Sequence, residues 1–131
     1  MTRPQGVAEA FARLCPDLIE GDIGNDHFSL QDIVVTGLEG GYEWFGVHQY
    51  KPDSDGTPGR PWAIVSEYPD NPGQHYWLDL ETMRTGLERW IDHLLDQEVP
   101  EAKIIRTLQD MDLNDADAVL QMATWGEVRY G

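Results

Sequence analysis

The spacing of apolar and polar positions divides the chain into a strand-rich middle and a helical C-terminal part. Four runs in the middle are rich in β-branched or aromatic residues and are bounded by Gly, Pro, Asn or Asp, as β-strands are. They are residues 31–38, 42–51, 61–68 and 74–80. Because no connection between them is long enough for a crossover helix, the sequence predicts a four-stranded antiparallel meander.

The connections between these runs are built from turn-forming residues. Gly40 and Gly41 separate the first two runs and favour a tight hairpin. The second connection, 52–61, has no large apolar residue, which predicts an exposed and mobile excursion. The third, 69–73, reads Pro-Asp-Asn-Pro-Gly and predicts another turn.

Helical spacing of apolar residues is found on both sides of the predicted sheet. The stretch 7–14 predicts a short amphipathic helix that ends before Pro16. After Asp79, a suitable N-cap, the apolar period changes to that of a helix. The apolar stripe of this second helix consists of Met83, Leu87, Trp90, Ile91, Leu94 and Leu95.

Two further helices are predicted before the C-terminus. Pro100 fits the first turn of one, and the other begins after Asn114 and ends at Gly126. Their inward residues are Ile104, Ile105 and Leu108, then Val119, Leu120 and Ala123. The prediction is therefore a single α+β domain, residues 1–131, in which the meander packs against an N-terminal helix and two to three C-terminal helices.

Charge is the extreme property of the composition. The 131 residues include 24 Asp and Glu but 9 Lys and Arg, a net charge of -15. The acids are spread over both halves of the chain. A negative field repels nucleic acid phosphates and steers basic protein surfaces toward the chain. The sequence therefore predicts a protein partner with a basic surface and no direct nucleic acid binding; the alternative is that the acidity only maintains solubility.

Cysteine usage and hydropathy bear on the compartment. Cys15 is the only cysteine, so no intrachain disulfide can form, and a reducing compartment is expected. The first residues lack the pattern of a signal peptide, and no later stretch approaches about 18 consecutive apolar residues. These features predict a cytoplasmic protein that does not engage a membrane.

One stretch partly matches a calcium-binding loop. Asp110, Asp112 and Asn114 alternate as the first ligands of such a loop do. The sixth and twelfth positions, which need Gly and Glu, are Asp115 and Gln121. The alternative, which we favour, is that Asn114 caps the last helix.

Other candidate catalytic groups form no recognisable motif. The histidines, which have no metal-binding spacing, are His27, His48, His75 and His93. Glu43, Glu67, Asp79 and His75 could meet across strands as an acid and base pair, although carboxylates on strand surfaces are mostly solvated. We therefore predict no catalytic residue, metal or cofactor, while the absence of a motif does not exclude an enzyme.

The second predicted strand carries aromatic residues on one face. At period two, Trp44, His48 and Tyr50 share that face. If the opposite face meets the helices, the aromatic face is exposed and can be extended by Trp62 or Trp77. The predicted partner-binding residues are Trp44, His48, Tyr50 and Trp62. The alternative is that helices cover this face and bury it as core.

The C-terminal residues, DADAVLQMATWGEVRYG, place a short helix before a terminal G-E-V-x-Y-G. This end resembles that of small uncharacterised acidic proteins of actinobacteria and their phages. The resemblance implies a context of conflict between phage and host and assigns no functional residue.

Three functional hypotheses follow from the sequence. The first is a non-enzymatic acidic module that occupies a basic surface, such as that of a nucleic acid-binding protein, and inhibits it. The second is a small-ligand-binding protein or enzyme with a pocket between the sheet and the helix that follows it. The third is a homo-oligomeric structural or assembly protein.

Overall fold

The computed structural model of the protein describes residues 22–23, 28–40, 44–68, 71–109 and 111–130. Within these residues the fold is α+β, with four helices and a three-stranded antiparallel sheet. The elements are β1 (Asp22–Ile23), β2 (Phe28–Ser29), α1 (Leu30–Glu39), β3 (Phe45–Tyr50), β4 (Ala63–Glu67), β5 (Asn71–Leu78), α2 (Leu80–Asp96), α3 (Glu101–Gln109) and α4 (Leu113–Trp125). The predicted N-terminal helix at 7–14 and Cys15 lie outside the described residues.

The sheet has the order β3-β4-β5, with each strand antiparallel to the next. Three of the four predicted strands therefore exist and form a meander, as the short connections require. β1 and β2 pair separately as a two-residue ribbon. A four-stranded meander is not found in the described residues.

The predicted strand at 31–38 is wrong, because these residues form most of α1. Its β-branched residues favour strands, but its apolar positions also recur at steps of three and four. Burial of that helical stripe outweighs the local preference. The predicted hairpin at Gly40 is replaced by the end of a helix at Glu39. The buried side of α1 consists of Leu30, Ile33, Val34 and Gly37.

Two glycines allow the helices to pack closely on α4. A Cβ on Gly37 of α1 would lie 2.3 Å from Leu120 Cδ1. A Cβ on Gly86 of α2 would lie 2.6 Å from Ala123 Cβ. The side chains that fill the core between these helices and the sheet include Ala63, Val65, Leu78, Met83, Leu87, Ile91 and Leu120.

The predictions for α2 are confirmed. The Asp79 carboxylate accepts a hydrogen bond from the Thr82 backbone N–H at 2.9 Å, and Thr82 Oγ1 accepts one from the Asp79 N–H at 2.9 Å. This reciprocal capping box satisfies two backbone donors at the start of the helix. Of the predicted apolar stripe, the buried residues are Met83, Leu87, Trp90 and Ile91.

The helix α4 starts two residues earlier than predicted. Asp112, not Asn114, is the N-cap, because its carboxylate accepts from the Asp115 N–H at 2.9 Å. Asp112 is thus occupied in capping, and Asp110 of the calcium-like stretch lies outside the described residues. The helix ends as predicted at Gly126, whose φ of 75° is the left-handed conformation that glycine adopts most easily.

The connection between β3 and β4 is largely exposed, as predicted, and contains hydrogen bonds of its own. Ser54 Oγ donates hydrogen bonds to the carbonyls of Arg60 and Pro61, each at 2.9 Å. Gly56 has a φ of 77°, and a Cβ there would lie 2.4 Å from the Trp62 ring. The connection is therefore folded onto its own buried tryptophan, which the absence of large apolar residues in 52–61 concealed.

Candidate binding surface on the open face of the sheet

The two faces of the sheet have different environments. Ala63, Val65 and Leu78 lie on the face that meets the helices and are fully buried. The alternating residues of the same strands point to the opposite side. We call this side the open face, and its residues are His48, Ile64, Ser66, Tyr68, His75 and Trp77. It carries two of the most exposed large side chains in the described part of the chain, with Tyr68 55% and Trp77 46% exposed.

A β-bulge in β3 decides which predicted residues reach the open face. Val47 pairs with Val65 but Gln49 pairs with Ile64, so His48 is an extra residue in the strand. The bulge breaks the period of two on which the predicted aromatic face depended. His48 lies on the open face, as alternation with Val47 places it, and the extra residue moves Tyr50, opposite buried Ala63, to the core side.

Three of the four predicted partner-binding side chains are engaged within the domain. Trp44 is half-buried; its indole N–H donates to Asp117 Oδ1 at 2.7 Å and its ring stacks on Tyr130 at 5.4 Å. Trp62 is only 4% exposed, and its indole N–H donates to the Ser54 carbonyl at 2.9 Å. Trp62 thus belongs to the core, which is the alternative that the sequence left open.

Tyr50 is the third of these side chains. Its hydroxyl donates a hydrogen bond to the Glu39 carboxylate at the end of α1. Burial, followed by this contact with Glu39, raises the pKa of Tyr50 to about 12. The phenol therefore remains a hydrogen-bond donor at neutral pH and ties β3 to α1. His48 is the predicted residue that remains exposed.

His48 forms a small polar cluster in the centre of the open face. Its Nε2 lies 2.8 Å from Ser66 Oγ, and its ring lies 4.1 Å from the His75 ring, tilted by 34°. A serine hydroxyl beside an imidazole is the arrangement of a nucleophile and base. However, Ser66 is 1% exposed, so a substrate carbonyl cannot reach its hydroxyl. The contact is better described as support for the histidine pair.

The described members of the predicted acid and base pair across strands, Glu67, Asp79 and His75, are engaged in separate contacts. Glu67 Oε1 accepts from Arg129 Nη1 at 2.9 Å, and its Oε2 accepts from the Tyr130 hydroxyl at 2.8 Å. Asp79 caps α2 and His75 meets His48, so these groups lie in three separate contacts. Glu43 lies outside the described residues.

A depression lies at one end of the open face, beside the β3–β4 connection. Its volume is about 590 Å³. The residues that line it include Gln49, Lys51, Asp53, Asp55, Arg60, Ile64 and Trp77. We call it the loop depression. It lies on the side of the sheet away from the helices, whereas the sequence placed a pocket between the sheet and α2.

The sequence does not identify Tyr68 as a binding residue. It also does not identify Lys51 and Arg60, the two basic residues that line the loop depression. Polarity in this stretch gives little signal for the open face, because apolar Ile64 lies on the open side and charged Glu67 lies on the side of Ala63 and Val65. The position of the β3–β4 connection beside Trp77 depends on tertiary contacts, so no local sequence pattern predicts it.

The described residues contain no group of three or more His, Cys, Asp or Glu side chains arranged to hold a metal ion. Among the helices described, none is long and apolar enough to cross a membrane. The chain matches no protein-family model, no curated protein and no solved structure. The resemblance of its C-terminal end to actinobacterial and phage proteins stays a prediction.

Proposed function

We infer that the protein is a non-enzymatic binding module whose open face docks onto a protein with a basic surface. The observation that carries this function is the exposure of Tyr68 and Trp77 on the face of the sheet opposite buried Ala63, Val65 and Leu78. Isolated exposed apolar residues are ordinary, but aromatic side chains grouped on one face are typical of interaction surfaces.

The open face has the properties of a pre-organised interface. Trp77 stands on β5, and Tyr68 directly follows β4 with its N–H donating to the Trp44 carbonyl at 3.0 Å, so docking orders little of the backbone at either residue. Tyr and Trp supply large contact areas with few rotatable bonds and are enriched among the residues that dominate binding energy. His48 contributes a polar ring beside them. The anchoring role predicted for Trp44, Tyr50 and Trp62 therefore passes to Tyr68 and Trp77.

The net charge favours a basic partner over a second copy of the chain. Two molecules that each carry -15 repel one another, whereas a positively charged protein is attracted over about one Debye length. Exposed acids of α2, including Glu81 and Asp96, lie away from its core stripe and contribute to this field. Nucleic acid-binding proteins are the main class with extended basic surfaces, and occupation of such a surface inhibits them.

A pull-down with matched variants tests this function. Wild type, a Tyr68→Ala/Trp77→Ala double variant and a Val128→Ala variant would be compared as bait at about 0.05 and 0.5 M salt. Val128, which is 40% exposed, controls for the loss of an apolar side chain outside the open face. We expect a partner that is retained by wild type and V128A at low salt and lost with the double variant.

The same partner should be basic and should be released at high salt, and its affinity for the purified bait should fall at least tenfold in the double variant. Equal retention by all three baits would contradict docking on the open face. Light scattering distinguishes the homo-oligomer hypothesis from docking of a basic partner. A defined multimer that becomes monomeric in the double variant would show that the open face binds a second copy of the chain.

A further inference from the structure

We propose that the loop depression binds a small zwitterionic molecule with a planar ring. The proposal is independent of protein docking, although Trp77 borders both surfaces. Its volume of about 590 Å³ lies within the range of small-molecule sites.

The rim of the depression is fixed before any ligand arrives. The Lys51 N–H donates to the Trp62 carbonyl at 2.7 Å, and the Gly56 N–H donates to the Arg60 carbonyl at 3.1 Å. The Leu80 N–H in turn donates to the Gly56 carbonyl at 2.8 Å, which joins the loop to the start of α2. A rim held at both ends loses little conformational entropy on binding.

Two of the nine Lys and Arg residues of the chain line this site. Lys51 and Arg60 are the only Lys or Arg between Arg13 and Arg84, and both line the depression. Although the chain has a net charge of -15, these two side chains can bind an anionic group at this site. A guanidinium and an ammonium on opposite sides of a carboxylate can both donate to it.

The depression also carries two carboxylates, from Asp53 and Asp55. Thr57 donates to Asp55 from its hydroxyl at 2.9 Å and from its N–H at 3.2 Å, and these bonds hold the pKa of Asp55 below its usual value. Asp55 therefore remains charged near Arg60. Equal numbers of both signs favour a ligand that carries both signs, and they disfavour a polyanion.

Apolar atoms complete the site. Trp77 is 46% exposed and Ile64 is half-buried beside it on the open face. An indole ring accepts a planar ring by stacking, and the adjacent aliphatic side chain excludes water from the contact. Charge and ring recognition together specify a molecule with the chemistry of an aromatic amino acid.

An NMR titration with L-phenylalanine, benzoate, benzylamine and glycine tests this specificity. We expect L-phenylalanine to bind with a Kd of about 1 mM, shifting the Trp77 indole and the loop amides, and the other three probes to bind about tenfold more weakly or less. A Lys51→Gln/Arg60→Gln variant should weaken L-phenylalanine about tenfold. Asp53→Asn should weaken L-phenylalanine and strengthen benzoate.

The matched control is Lys103→Gln/Arg106→Gln, which makes the same charge change in exposed residues of α3 and should leave the affinity unchanged. Benzoate binding as tightly as L-phenylalanine would overturn the zwitterionic specificity. No shift with any probe, or equal loss of affinity in the control variant, would overturn the site. None of these outcomes depends on partner capture by Tyr68. Failure of the small-molecule site can therefore be distinguished from failure of the docking function.

Discussion

Two buried polar side chains, Gln121 and Glu67, are hydrogen-bonded by the C-terminal segment. Gln121, which is fully buried, donates to Asp117 Oδ2 at 2.7 Å and to the Tyr130 carbonyl at 2.8 Å. Its Oε1 accepts from the Arg129 and Tyr130 N–H groups at 2.8 and 2.9 Å. All four hydrogen-bonding positions of the amide are used. Residues 129–130 of the C-terminal segment are therefore attached to α4 through Gln121.

Replacement of Glu67 by Gln should weaken the attachment of the C-terminal segment to β4. The charged acceptor of Arg129 and Tyr130 is lost, and we expect the free energy of unfolding to fall by about 1–3 kcal/mol in urea. Glu127→Gln is the matched control, because Glu127 also pairs with Arg129 but its side chain is 65% exposed. Equal effects of the two substitutions would show that burial of the Glu67 contacts adds nothing.

Asp115 should make stability depend on pH. Burial first, and then the nearby Asp112 carboxylate, raise the pKa of Asp115 to about 6. The folded chain binds this proton more tightly than the unfolded chain does, so the Asp115 contribution to stability should increase as pH falls from about 7 to about 4. Asp115→Asn removes the titration and should reduce that slope in urea unfolding.

Asp55→Asn is the control for this prediction. The pKa of Asp55 is held low by its bonds from Thr57, so this carboxylate stays ionised across the same range of pH. Its replacement should leave the slope unchanged. If Asp115→Asn also leaves the slope unchanged, Asp115 does not take up a proton on folding in that range.

At the scale of elements, α4 organises the helical layer because α1 and α2 both pack on it. Each contact includes a glycine whose missing side chain leaves room for the neighbouring helix. Glycine lowers helix stability by about 1 kcal/mol relative to alanine, so close packing must compensate at these positions.

Gly86→Ala should therefore destabilise the protein despite the better helix propensity of alanine. The new Cβ would lie 2.6 Å from Ala123 Cβ and 2.8 Å from Ala123 Cα, and the helices must move apart. We expect a loss of about 1–3 kcal/mol in the free energy of unfolding. Adding Ala123→Gly should recover only part of it, because the backbone contact remains. A stabilised G86A variant would contradict this packing.

Over the whole molecule, acidity affects the stability of the fold. The excess of 15 negative charges repels itself within a compact chain and is less repulsive when the chain expands. This cost decreases as salt screens the charges. The negative charge that would steer a basic partner in the proposed function thus also opposes folding.

Sodium chloride should accordingly raise the urea midpoint of unfolding between about 0.02 and 0.5 M. The Glu81→Gln/Glu88→Gln variant, which removes two charges from α2, should show a smaller rise. A midpoint that falls with salt in both proteins would mean that favourable ion pairs outweigh the repulsion.

The sequence determined the elements whose local signals agree with their packing. Three strands, the apolar stripe of α2, its Asp79 cap and the end of α4 at Gly126 were predictable because period, capping and turn chemistry favour the same structure at each. Net charge likewise follows from composition alone and narrows the kind of partner expected.

Tertiary structure decided everything that depends on what lies opposite a residue. Residues 31–38 became a helix because their stripe is buried by α4, not because of their intrinsic preference. One extra residue in β3, at His48, separates the predicted aromatic face: Tyr50 lies on the core side and His48 lies on the open face. The loop depression exists because distant hydrogen bonds hold the loop beside Trp77. Such contacts join positions that are far apart in the chain, and no window of sequence contains them.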